Sequence, residues 1–267
     1  NSVRTGMTLF LCAVFLGGCG QGPPVQPAVQ DETPSSGIRG ADGPRLSEVP
    51  GDPRLRIGKE LLMSGRLDES LIIFETVVRD RPNLARAHFL QGMALHGKKS
   101  HAQALALYLK AEALKQDFAE HELLDYYIAW SAFYAGESEL AQARVQKCLL
   151  DNPDRADPNF LAGILAFNDD RLEAAEQSLQ LALQYARLEV EPTRSREMRR
   201  AWVRLSDVLA RCERREEALE AIMNAIEIRP DFAESWFRKG SLLSRMGREE
   251  EAEVALARWR ELGGGSG

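Results

Sequence analysis

Residues of matching type return every 34 positions along most of this chain. Trp202 is followed by Trp236 and Ala218 by Ala252, with Gly240 and Gly247 marking the later copy. Earlier in the chain Gly58, Gly92 and Gly163 stand at corresponding places, as do Ala104, Ala141 and Ala175. Pro82, Pro153 and Pro230 each close a copy. A fixed period of this length describes a small unit that cannot bury its apolar side alone, so neighbouring units must stack. Small residues at two places in each unit allow two helices to approach closely, and the Pro ends the second helix because it cannot continue one.

The copies run 51–84, 85–118, 122–155, 156–189, 199–232 and 233–262, with three and nine extra residues before the third and fifth. The period and its residue types resemble the tetratricopeptide repeat, a helix-turn-helix unit. The resemblance implies an all-α fold: a right-handed α-solenoid of about six such repeats, with a concave face built for binding. Gln116 stands where the pattern has Pro, and Trp259 where it has Ala.

Two segments precede the repeats. Arg4, the apolar run 7–16 and Gly17-Gly18-Cys19 follow the order of a secretory signal peptide. The apolar run is about half of the ~20 residues a membrane-spanning helix needs. Leu16-Gly17-Gly18-Cys19 resembles the lipobox of bacterial lipoproteins, which makes 1–18 a signal peptide and Cys19 the acylated N-terminus of the mature chain. Lipid on Cys19 implies a cell-envelope location: an outer-membrane lipoprotein facing the periplasm in a diderm, and otherwise a membrane-anchored extracytoplasmic protein. Residues 19–50 are rich in Pro and Gly and poor in apolar groups, which is the composition of a flexible tether. Such a tether would average about 30 Å end to end and reach about 95 Å when extended. The Gly/Ser-rich tail 263–267 is expected to be flexible.

A formal net charge of −6 argues against nucleic acid as a partner, because that partnership relies on clustered cations. The expected partner is a protein or peptide. Concave-face positions carried over from the repeat family give Phe89, Met93, His96, Tyr126, Trp130, Phe133, Tyr134, Phe160 and Phe167. Tyr126, Trp130 and Phe133 also share one helical face by spacing. An aromatic groove of this kind suits an apolar or amphipathic segment, although apolar stripes more often form core. Arg194, Arg196, Arg199, Arg200 and Arg204 form a candidate basic patch, or a solvated face balanced by neighbouring acids. Val254, Leu256 and Trp259 on the last helix offer a surface for a homodimer or a self-assembling structural role.

No catalytic, metal or cofactor set emerges. Gly92 to Lys98 fits the opening of a phosphate-binding loop, but Lys99 replaces the hydroxyl residue that follows it, and Gly92 already has a packing role. The four histidines, 88, 96, 101 and 121, do not combine with carboxylates at a metal-site spacing. Cys148 and Cys212 lie too far apart along the stack to pair. The chain therefore reads as a non-catalytic scaffold or adaptor in the envelope, of the kind that assembles a pilus or secretin, a barrel-assembly or a peptidoglycan-hydrolase machine.

Overall fold

The computed structural model describes residues 52–264, and they form twelve α-helices without a strand. The helices are α1 (Pro53–Met63), α2 (Leu67–Asp80), α3 (Ala85–Gly97), α4 (His101–Ala113), α5 (Leu124–Ala135), α6 (Ser138–Asp151), α7 (Ala156–Asn168), α8 (Leu172–Ala186), α9 (Thr193–Arg211), α10 (Arg215–Ile228), α11 (Ala233–Arg245) and α12 (Glu249–Glu261). Each odd-numbered helix packs on the even-numbered one that follows, and each pair packs on the next. α1 touches α3, α3 touches α5 and α7 touches α9, whereas no two successive even-numbered helices meet to that extent. The odd helices therefore line the inner face of an α-solenoid and the even helices form its outer face.

The turn inside each pair repeats one backbone feature. Gly65, Lys99, Gly136, Asp170, Glu213 and Gly247 all have φ between 58° and 83°. Their spacings of 34, 37, 34, 43 and 34 place both insertions between successive turns, so that neither lengthens the turn inside a pair. The left-handed residue reverses the chain so that the outer helix returns along the inner one. The small residues then let the two helices close up. A Cβ on Gly58 would meet the Phe74 ring at 2.4 Å, on Gly92 the Tyr108 ring at 2.6 Å, and on Gly163 the Leu179 side chain at 2.7 Å. Gly92 thus serves packing inside a helix, and the phosphate-loop pattern around it has no loop to form.

Four of the outer helices, α2, α4, α6 and α10, end in one of two ways. Arg81, Asn152 and Arg229 are extended because each precedes a Pro, whose ring excludes the helical conformation. Where Gln116 replaces the Pro, Lys115 turns left-handed instead, and the Gln116 amide accepts from Ala85 N at 3.0 Å and donates to Asn83 O at 2.7 Å. The nine-residue insertion is partly helical, since α9 begins at Thr193, six residues before the repeat boundary read from the sequence.

The last pair is finished by polar and aromatic groups. Leu71, Leu105 and Leu219 of α2, α4 and α10 pack on the core at one seam position, where α12 has Glu253; Arg260, seven residues later, pairs with it at 3.1 Å. Trp259 lies 5.1 Å from Phe237, and Gly264 N donates to Trp259 O. The face proposed from sequence for a second copy is therefore part charged: Val254 is exposed, while Leu256 and Trp259 are partly buried.

Candidate functional site

The inner face has two layers. The deeper one is aromatic: Phe89, Tyr126, Trp130, Phe160 and His96 are buried, with Trp130 and Phe89 at 0% exposure. This corrects the expectation that these five side chains line an open groove. The aromatics of α3, α5 and α7 pack toward the following pair, so the apolar stripe is a seam between repeats. Tyr134 stacks on Trp130 at 5.5 Å and on His101 at 4.3 Å, while Phe133 meets Trp130 edge to face at 5.9 Å.

His96 is held within this layer, where its Nδ1 and Ser131 Oγ share a hydrogen bond of 2.8 Å. Burial, with His101 beside it, pushes its pKa down to about 3, which keeps the ring neutral. Burial also pushes the Tyr127 hydroxyl up to about 12, with the Asp157 charge adding to the effect. These rings are packing groups held in their uncharged forms.

A charged cluster crosses the same layer. Trp130 Nε1 donates to Asp157 Oδ2 at 2.7 Å, and Arg200 donates to Asp157 Oδ1 and Glu197 Oε2 at 2.9 Å each. The Arg200 guanidinium also lies over the Phe160 ring at 4.2 Å. Burial raises the Glu197 pKa, Arg200 opposes that shift and Asp157 reinforces it.

The five arginines consequently do not make one basic patch. Arg199 and Arg200 are buried, Arg199 over the Phe232 ring at 3.9 Å; Arg196 pairs with Glu197, Arg204 with Asp207 and Arg194 with Glu191. Glu197 stands at the i,i+3 spacing from Arg200 on α9, whereas no sequence signal marked Asp157, which reaches Arg200 from α7, 43 residues away.

What the inner face offers to a partner is narrower than the sequence suggested. Met93 on α3, Phe133 and Tyr134 at the end of α5, and Phe167 at the end of α7 are partly exposed while packing on the core. Phe133 and Tyr134 touch at 5.2 Å, and with Phe167 near the end of α7 and Met93 in the second half of α3 they are the partly open apolar groups among the inner-face residues read from sequence. Arg211, paired with Asp170, stands 5.9 Å from the Phe167 ring and supplies a charged border. Charge on the neighbouring inner surface is paired: Arg238 bridges Asp207 and Glu234, and Glu120 joins Lys59 to Arg86.

Among the described residues no group of three metal-ligating side chains converges, and no helix is long and apolar enough to cross a membrane. Cys148 and Cys212 are free thiols, and burial raises the Cys148 pKa to about 11. Cys19 lies outside the described residues, so the lipid anchor stands as an expectation from sequence.

Residues 55–117, 200–232 and 221–254 match the tetratricopeptide repeat. No curated protein matches the chain by sequence. Among solved structures the chain is similar to the hetero-tetramer Cut9–Hcn1 of the APC/C, at 16% identity and a TM-score of 0.67 over 78% of this chain and 39% of that one. It thus spans about two-fifths of that protein's length. It is also similar to YrrB, described as a TPR protein with an unusual peptide-binding site, at 20% identity and a TM-score of 0.53 over 68% and 88% of the two chains. MamA gives 18% identity and a TM-score of 0.53 over 68% and 92%. These likenesses establish the fold, an α-solenoid of tetratricopeptide repeats.

Proposed function

We propose that the chain is a non-catalytic interaction scaffold that holds an apolar or amphipathic segment of a protein partner along the edge formed by Met93, Phe133, Tyr134 and Phe167. The exposure of this edge carries the reading: four large apolar side chains remain partly open to solvent on the inner face, beside a core that buries Phe89, Tyr126, Trp130 and Phe160. Large rings seated on a rigid helical frame contribute most of the energy in interfaces of this kind. The peptide-binding site named for YrrB supports a peptide partner by analogy of fold.

The scaffold works from a membrane. Acylated Cys19 anchors it to the bacterial envelope, facing the periplasm where there is an outer membrane, and residues 19–50 set its reach. Its role is to bring a partner to an envelope assembly such as a pilus or secretin, a barrel-assembly or a peptidoglycan-hydrolase complex.

A photo-reactive residue at Phe133, with a control at the exposed outer residue Glu173, tests the binding surface in intact cells. Crosslinks to one envelope protein from 133 and not from 173 are expected; equal crosslinking from both positions, or none from 133, removes the edge as the site. Cys19→Ala is expected to release the protein from the membrane fraction, and retention there removes the lipid anchor.

A further inference from the structure

Three of the five seams between repeats share a hydrogen bond, and it is missing before the third repeat, where Asp125 and Gln116 replace the donor and the Pro, and before the fifth. In the second, fourth and sixth repeats the fourth residue of the inner helix reaches the carbonyl of the Pro that closed the preceding repeat. His88 Nε2 lies 2.7 Å from Pro82 O, Asn159 Nδ2 donates to Pro153 O at 2.9 Å, and Trp236 Nε1 donates to Pro230 O at 2.8 Å. Trp202 holds this position in the fifth repeat. The insertion before it leaves Arg196, and no Pro, six residues upstream, so among the described residues Trp202 Nε1 has no hydrogen-bond partner.

The Trp202 ring instead lines a cleft of about 550 Å³ between the outer helices α8 and α10, with α9 beneath. Leu183, Leu205 and Leu209 complete its apolar floor. One end is closed by Arg214, which donates from α10 to Glu176 on α8 at 2.7 Å and is held by Glu217 at 2.7 and 2.6 Å. Gln184, Arg187 and Asn224 stand along the remainder.

We propose that this cleft docks an extended, proline-rich segment of a protein partner. Donor and acceptor supply argue for that class. A proline-rich chain in its extended left-handed form has no internal hydrogen bonds and few N–H groups, so it presents carbonyl acceptors and flat ring faces. The cleft presents the matching set: an indole face with an unused N–H, the Gln184 amide and the Arg187 guanidinium. Of its three carboxylates, Glu176 and Glu217 are already committed to Arg214, and Glu220 is the third.

A helical ligand brings its own carbonyls already satisfied, leaving the donors of the cleft unused. This surface lies on the outer face and is independent of the Phe133 edge.

The test is fluorescence polarisation with a labelled decaproline carrying one central leucine, titrated with the whole protein. Probes of equal length made of Gly and Ser, and of a Leu/Lys amphipathic helix, are run beside it. The proline probe is expected to bind in the micromolar range. Its affinity should fall about tenfold in Trp202→Phe, which keeps a ring and loses the N–H, equivalent to one lost hydrogen bond in an apolar setting. Gln184→Leu with Arg187→Leu changes exposed residues and should weaken binding to a similar degree with an unaltered melting temperature. Phe133→Ala should leave binding intact. The proposal is overturned by no binding at millimolar protein, by binding unaffected in the Gln184/Arg187 variant, by equal binding of the Gly/Ser probe, or by preference for the helical probe.

Discussion

Trp130 Nε1 donates to Asp157 Oδ2 at 2.7 Å where both side chains are buried, so an indole of the third repeat is bonded to a carboxylate of the fourth. The same carboxylate takes its other oxygen to Arg200 in the fifth. Three repeats are therefore joined through one polar chain, and Trp130 is a structural residue. Trp130→Ala should destabilise the fold by about 3–5 kcal/mol through lost burial and the cavity left behind. Trp130→Phe retains most of the apolar contact and should cost about 1–3 kcal/mol for the unmatched carboxylate oxygen. Urea denaturation measures both; a loss below ~1 kcal/mol for the alanine variant would contradict the burial.

How far this was visible beforehand differs between the frame and the site. The frame was legible because its causes are local: a small residue every 34 positions, and a Pro that ends a helix. The left-handed turn residue obeys the same spacing but is Lys99, Asp170 or Glu213 in half of the repeats, which composition does not flag. The site is less legible, because spacing along α5 shows that Tyr126, Trp130 and Phe133 share a face without showing whether the next pair of helices covers it. Trp130 is covered and Phe133 is partly open, although three residues separate them. The partner that covers Trp130 is distant in sequence, 27 residues away at Asp157.

The turn residues provide a stabilising prediction. Lys99 has φ 61°, a conformation that costs a residue with a Cβ about 1–2 kcal/mol. Glycine removes that cost but returns part of it as freedom in the unfolded chain. Lys99→Gly should therefore gain about 0.5–1 kcal/mol, and Gly136→Ala, at φ 83°, should lose about 1 kcal/mol. Both should shift the denaturant midpoint at constant slope; a destabilised Lys99→Gly would show that its side chain makes a contact outweighing the backbone strain.

Stability should fall on mild acidification. Both His88 and His96 are buried, and burial lowers their pKa values from 6.5, to about 3 for His96. His88 faces a carbonyl that can only accept, so its ring donates from Nε2 while Nδ1 stays unprotonated without a partner. Below pH 6.5 the unfolded chain binds protons that the folded rings refuse. Each fully neutral ring then removes about 1.4 kcal/mol of stability per pH unit. The window between pH 6.5 and 5 isolates this effect, since carboxylates with lowered pKa, such as Glu120 and Asp125, lose their contribution only from about 4.5 downward. Glu197, with its raised pKa, acts in the opposite direction as it protonates. Urea titrations at pH 7 and 5 should show the loss, and His96→Gln should flatten the slope; an unchanged slope would mean that His96 is protonated in the folded protein.

The three-residue insertion should be found to act through Glu120. This residue is buried, with Lys59 Nζ at 2.8 Å and Arg86 bonding both of its oxygens at 2.9 Å. Burial alone would raise its pKa, but hydrogen bonds from Arg86 and Lys59 outweigh that and lower it, so the carboxylate is charged and clamped between inner helices α1 and α3. Lys59 and Arg86 are partly exposed, which screens the pairing and places the cost of Glu120→Ala at about 1–2 kcal/mol, below that of a fully buried pair. The pairing itself is separable from packing by a double-mutant cycle. Arg86→Ala should cost less in the Glu120→Ala background than alone, with a coupling of at least ~0.5 kcal/mol. Strict additivity would show that the insertion is tolerated without being used, and that the charges on the inner face near Arg86 are free to meet a partner.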